Sequence, residues 1–153
     1  MPNLTLEEMK KRIFSLDVLA TEYDDRNRPI GARKLPTRMA ICMRRIRNEY
    51  ASEIKMFDEL HSANIAEYAV HEDGLPKTEK KGNGEVYLFA NDEAREAFIS
   101  TSKELLATTT EVKEYQVTME DVLEIPLLEE WVLEAIWWMI SPEDEPPKSS
   151  ESI

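Results

Sequence analysis

Between Pro36 and Tyr68 the chain contains no glycine and no further proline, and its large apolar side chains (Met39, Met43, Ile46, Tyr50, Phe57, Leu60) return at three- and four-residue steps. That spacing lines one face of an α-helix with an apolar stripe. Pro36 suits the start of such a helix, because its fixed φ is already helical and the amide it lacks would have no partner there. At 1.5 Å per residue the helix is longer than the roughly 30 Å width of a small domain. The remaining elements must therefore pack along it.

Before this helix, Thr5 and Glu8 form a capping box that opens an apolar rhythm of Met9, Ile13, Leu16 and Leu19, predicting a first helix to about Tyr23. Asp24, Asp25, Asn27, Pro29 and Gly31 mark the next dozen residues as a loop. After the long helix, residues 71–84 hold three of the four glycines, a proline and many charges, the composition of an exposed, mobile connection. Val86 to Phe89 then reads as a strand, and Asn91 as the N-cap of an acidic helix carrying Ala94, Phe98, Leu105 and Leu106. Thr108 to Thr118 alternates loosely and is expected to pair antiparallel with that strand, and Thr118 with Asp121 repeats the capping pattern. Beyond Pro126, Leu127 to Ile140 is apolar almost all round and predicts a buried helix. The expected fold class is α+β, mainly helical, with a long central helix and a small two-stranded antiparallel sheet. Residues 1–140 are expected to form one globular domain and residues 141–153, with their prolines, serines and acids, a disordered acidic tail.

With 42% hydrophobic and 33% charged residues the chain can bury a core and remain dissolved. No stretch approaches the roughly 18 uncharged apolar residues of a membrane span, and the N-terminus lacks the basic-then-apolar order of a signal peptide, so a cytoplasmic protein is expected. Cys42 has no second cysteine to bridge, and neither it nor His61 and His71 forms a metal-ligand spacing. His71-Glu72-Asp73 falls on the loop, where adjacent residues do not converge. There is no glycine-rich phosphate loop, nucleophile elbow or His-Glu-x-x-His pattern. No catalytic residue, cofactor or metal site is assigned, and an enzyme is not expected.

Charge is unevenly placed. Residues 1–80 hold 14 basic and 14 acidic residues and residues 81–153 hold 5 and 17, so the second part carries the whole net charge of −12. Residues 26–47 contain eight basic residues and no acid. On the long helix Arg38 and Arg45 fall to one side of the apolar stripe, Arg44 nearly opposite it and Arg47 to the other side, a scatter that suits ion pairs better than a single phosphate-binding face. Pairing with the chain's own acidic half, or with that of a second copy, is the expectation. Nucleic-acid binding by segment 26–47 is the alternative, and imitation of nucleic acid by the acidic half a minor one. Trp131, Trp137 and Trp138 serve either the core of a small domain or a partner's surface. The candidate partner-binding residues are thus Arg38, Arg44, Arg45, Arg47, Trp131, Trp137 and Trp138.

The order of these features resembles a family of short, uncharacterised proteins encoded by tailed bacteriophages. Lys34-Leu35-Pro36 opens the long helix and Arg47-Asn48 follows within it. After these come the strand Val86 to Phe89, the acidic helix Asp92 to Leu106, and the apolar region Leu133 to Ile140 ending in Trp138-Met139-Ile140. The resemblance covers roughly residues 34–140, and the helix before residue 30 departs from it. The family has no assigned activity; the resemblance implies a virus-encoded accessory or assembly factor made inside a bacterial cell. The expected function is a non-enzymatic protein-interaction factor, encoded by a phage, that binds a host protein, with inhibition of that protein as a fitting outcome. The alternative is an assembly or structural accessory protein that self-associates.

Overall fold

The computed structural model describes residues 1–142. In chain order these form β1 (Asn3–Thr5), α1 (Leu6–Leu19), β2 (Thr21–Tyr23), β3 (Pro29–Ala32), α2 (Thr37–Tyr68), β4 (His71–Glu72), β5 (Leu75–Pro76), β6 (Thr78–Lys81), β7 (Gly84–Tyr87), α3 (Asp92–Ala107), β8 (Thr109–Glu111), α4 (Met119–Leu123), α5 (Glu130–Ala135) and a closing 3-10 turn (Trp137–Met139). This is a mixed α+β fold built on the long helix, with its strands in two-stranded antiparallel pairs. From residue 143 on, the segment read as a disordered tail lies outside the described residues.

The helix starts follow their capping chemistry. The Thr5 hydroxyl accepts from the Glu8 amide at 3.2 Å while the Glu8 carboxylate accepts from the Thr5 amide at 2.9 Å. The bond from the Thr5 amide foremost, and the Thr5 side chain after it, hold the Glu8 carboxyl below its ordinary pKa. Thr118 and Asp121 repeat the box at α4, and Asn91 accepts from the Ala94 amide at 2.8 Å to start α3.

Buried residues from Leu4 to Ile140 form one apolar cluster, to which α2 contributes Met39, Cys42, Met43, Ile46, Tyr50 and Phe57 and the last segment Val132, Ile136 and Met139. Helix α1 contacts both α2 and α5. Arg12 of α1 fastens this junction: its Nη1 donates to the Tyr50 hydroxyl at 3.1 Å and its guanidinium lies 4.6 Å from the centre of the Trp138 ring.

Four expectations are corrected. The strand around Val86 does not pair with the segment after Thr108: β7 pairs with β6, and β8 pairs with β1 at the N-terminus. The stretch 71–84 is two hairpins rather than a plain connection, because its turn residues sit in two-residue turns. Asp73 and Gly74, with φ of 54° and 80°, supply the pair of positive angles that a type I′ hairpin turn needs, and Gly82, at φ 66°, opens the second turn. Helix α1 stops at Leu19, and Thr21–Tyr23 pairs instead with β3 inside the segment read as loop. The last apolar segment is helical only from Glu130 to Ala135 before the 3-10 turn. There the chain is drawn out of the helix by Val117, whose amide donates to Met139 O at 2.9 Å and whose carbonyl accepts from the Ser141 amide at 2.7 Å.

Candidate interaction surface

The candidate tryptophans differ in what each can touch. Val132, Ile136 and Met139 are buried in the core, whereas Trp131 stands on α5 and Trp137 on the 3-10 turn that follows it. Trp138 packs against the core beneath Arg12. Trp137 is 58% exposed. Trp131 is partly exposed and meets Tyr23 of β2 edge to face, with ring centres 4.9 Å apart.

The segment that leads into α5 carries a feature the apolar rhythm does not disclose. Ile125 is buried, Leu128 packs on the core, and between them Leu127 is 95% exposed at a φ of +54°. Leu123, at the end of α4, is 76% exposed. Three large apolar side chains (Leu123, Leu127, Trp131) are thus turned outward within one short stretch.

That stretch is held from behind by Arg33, just after β3. Its Nε donates to Leu19 O at 3.0 Å, and its Nη2 donates to Thr21 O at 2.9 Å and to the Glu129 carboxylate at 2.8 Å. The Arg33 side chain is only 7% exposed, so one guanidinium closes the end of α1, the start of β2 and the residue preceding α5.

Of the arginines on α2, Arg47 reaches Asp17 of α1 at 2.7 Å. Arg38, Arg44 and Arg45 are exposed and make no ion pair among the described residues. Three- and four-residue steps place them next to the exposed Ile41, which lies opposite the buried row Met39, Cys42, Met43 and Ile46. Arg38 also borders a shallow hollow with Glu120, Asp121 and Glu124 of α4 and its cap. Of the basic segment's expected pairing with the second half of the chain, Arg33 with Glu129 is the one ion pair present among the described residues; Arg28 pairs locally with Asp24.

Cys42 lies in the core, where burial chiefly, and Asp121 further, push its thiol pKa up from 9.0 to about 11 against the opposing charge of Arg45. His71 Nδ1 hydrogen-bonds the Ala69 carbonyl at 2.9 Å. Among the described residues no three His, Cys, Asp or Glu side chains come together as metal ligands, and no helix is long and apolar enough to cross a membrane. Comparison with protein-family models, curated proteins and solved structures finds no match.

Proposed function

We propose that this protein is a non-enzymatic interaction factor, encoded by a tailed bacteriophage, that binds a host protein through Leu127 and Trp131. The observation that carries this reading is Leu127. An L-residue in the left-handed region costs about 1–2 kcal/mol, which glycine would avoid. A leucine 95% exposed recovers none of that cost from its own fold. A partner's pocket would supply the missing burial, on the order of 2–3 kcal/mol for such a side chain. Trp131 beside it, steadied by Tyr23, is the residue type that most often anchors an interface. The phage origin rests on the sequence resemblance.

A photo-crosslinking amino acid placed at position 127 tests this in cells. One dominant adduct with a host protein, absent when the probe sits instead at the exposed Glu96 of α3, is the expected result. Equal labelling from both positions contradicts it.

A second reading is favoured by one observation, the three arginines without ion-pair partners around Ile41. They offer charge and bidentate donors to phosphate, as a nucleic-acid surface would. On that reading, affinity for duplex DNA or RNA falls steeply with salt and falls again when Arg38, Arg44 and Arg45 become alanine; indifference to both removes it.

A further inference from the structure

The β6–β7 hairpin leaves hydrogen-bonding groups free along one side of a groove. Around the turn Lys81 faces Gly84, and the register continues as Lys80 to Glu85, Glu79 to Val86 and Thr78 to Tyr87. One step further, the Leu88 amide donates to Lys77 O at 3.0 Å, so Lys77 and Leu88 belong to a hydrogen-bonded pair. Antiparallel ladders alternate, which makes Glu79–Val86 and Lys81–Gly84 the other bonded pairs. The amides and carbonyls of Glu85 and Tyr87 then point away from β6, and no backbone partner meets them among the described residues.

Next to β7 lies a cleft of about 690 Å³, lined by β7, by Glu79 and Lys81 of β6 and by Asp92, Arg95 and Ile99 of α3. Of β6, Glu79 and Lys81 border it and Thr78 and Lys80 do not. Apolar surface within the cleft comes from Phe89 and Phe98, whose rings sit 5.1 Å apart, with Tyr87 6.1 Å from Phe98. The volume falls within the roughly 300–1,000 Å³ range of ligand-sized sites.

From this arrangement we propose that the groove between β7 and α3 receives an extended peptide segment of a partner protein, apolar and basic in character, as an added strand on β7. Unpaired edge groups select an extended backbone, because only a strand can present amides and carbonyls in matching alternation. The phenylalanine rings select alternate apolar side chains. Charge selects the sign: Glu79 and Glu85 border the cleft with Lys81, Asp92 faces Arg95 at 3.8 Å, and the protein's net charge of −12 adds a field that favours a cation. At about 3.4 Å per residue, the four residues of β7 match a segment of four or five. The site is separate from Leu127 and Trp131, so either stands if the other fails.

The test is selection from a displayed library of random nine-residue peptides against the full-length protein, followed by amide hydrogen exchange with the enriched synthetic peptide. The proposal expects enriched sequences with alternating apolar residues and lysine or arginine. Binding should slow exchange at Glu85 and Tyr87, and Ile99→Arg, a change at an exposed helix position, should weaken it at least tenfold while leaving the melting temperature unchanged. If Ile99→Arg perturbs the fold, Glu79→Lys with Glu85→Lys serves instead and is expected to weaken binding to the same degree. No enrichment, protection at Thr78 and Lys80 instead, or protection of Glu85 and Tyr87 by self-association without peptide, overturns the proposal.

Discussion

The Arg33 guanidinium and the Glu129 carboxylate, 96 positions apart in the chain, meet at 2.8 Å where the end of α1, the β2–β3 hairpin and the start of α5 converge. The arginine is almost fully covered and the glutamate 23% exposed, so the arginine has almost no water to fall back on if its partner is removed and the glutamate only part of its hydration. Replacing Arg33 by methionine also leaves Leu19 O and Thr21 O without their donor. We expect Arg33→Met to lower unfolding free energy by about 3 kcal/mol, as for a broken, largely buried pair. Glu129→Gln should cost less, about 1 kcal/mol, because its amide oxygen still accepts from Arg33. Urea unfolding of both variants checks this.

The Arg12 bridge predicts a smaller loss. Tyr50→Phe removes the hydroxyl that accepts from Arg12 and leaves the buried ring in place, so the expected cost is about 1 kcal/mol. Arg12→Ala also uncovers Trp138 and should cost about 2 kcal/mol, combining the hydrogen bond and the cation–π contact. The tryptophan emission maximum should shift to the red in Arg12→Ala and stay fixed in Tyr50→Phe.

At Leu127 the expectation runs the other way. Substituting glycine removes no buried contact and relieves the left-handed strain, while adding the entropy that glycine brings to the unfolded chain. Thermal unfolding should therefore show Leu127→Gly unchanged or stabilised by up to about 1 kcal/mol. A clear loss of stability would mean that Leu127 is packed in solution and would weaken its assignment to a partner.

Cys42 gives a prediction in pH. With its pKa raised from 9.0 to about 11 by burial, the native thiol stays protonated until well above pH 9, whereas in the unfolded chain it ionises near its ordinary value. Below pH 9 neither state gains from this group; above it the unfolded state is favoured as it loses its proton first, so stability falls as pH rises from about 9 to about 11. Iodoacetamide at pH 8 should label the urea-unfolded protein at least a hundredfold faster than the native one.

How much of this was legible in the sequence depended on the kind of signal. Capping boxes at Thr5–Glu8 and Thr118–Asp121 and the stripe from Met39 to Phe57 are local, and each appears where its residues place it. The strands from residue 71 to 81 are obscured because Gly74, Gly82 and the charged residues have loop composition, although Asp73-Gly74 is itself a hairpin turn pair. Pairing of β1 with β8 joins residues over a hundred positions apart, which no local pattern encodes. The outward turn of Leu127 is likewise invisible in a sequence where it sits among apolar neighbours. It arises because Pro126 breaks the helical run and Arg33 holds Glu129.

Whether Leu127 and Trp131 bind another protein is tested most directly by affinity capture. Tagged wild-type protein and a Leu127→Asp, Trp131→Ala variant of equal thermal stability would be used to capture partners from nuclease-treated bacterial lysate, with mass spectrometry of what remains at moderate salt. One stoichiometric protein with the wild type, and at least a tenfold loss of it with the variant, is the expected result. Equal recovery by both, or no protein recovered by either, would contradict it.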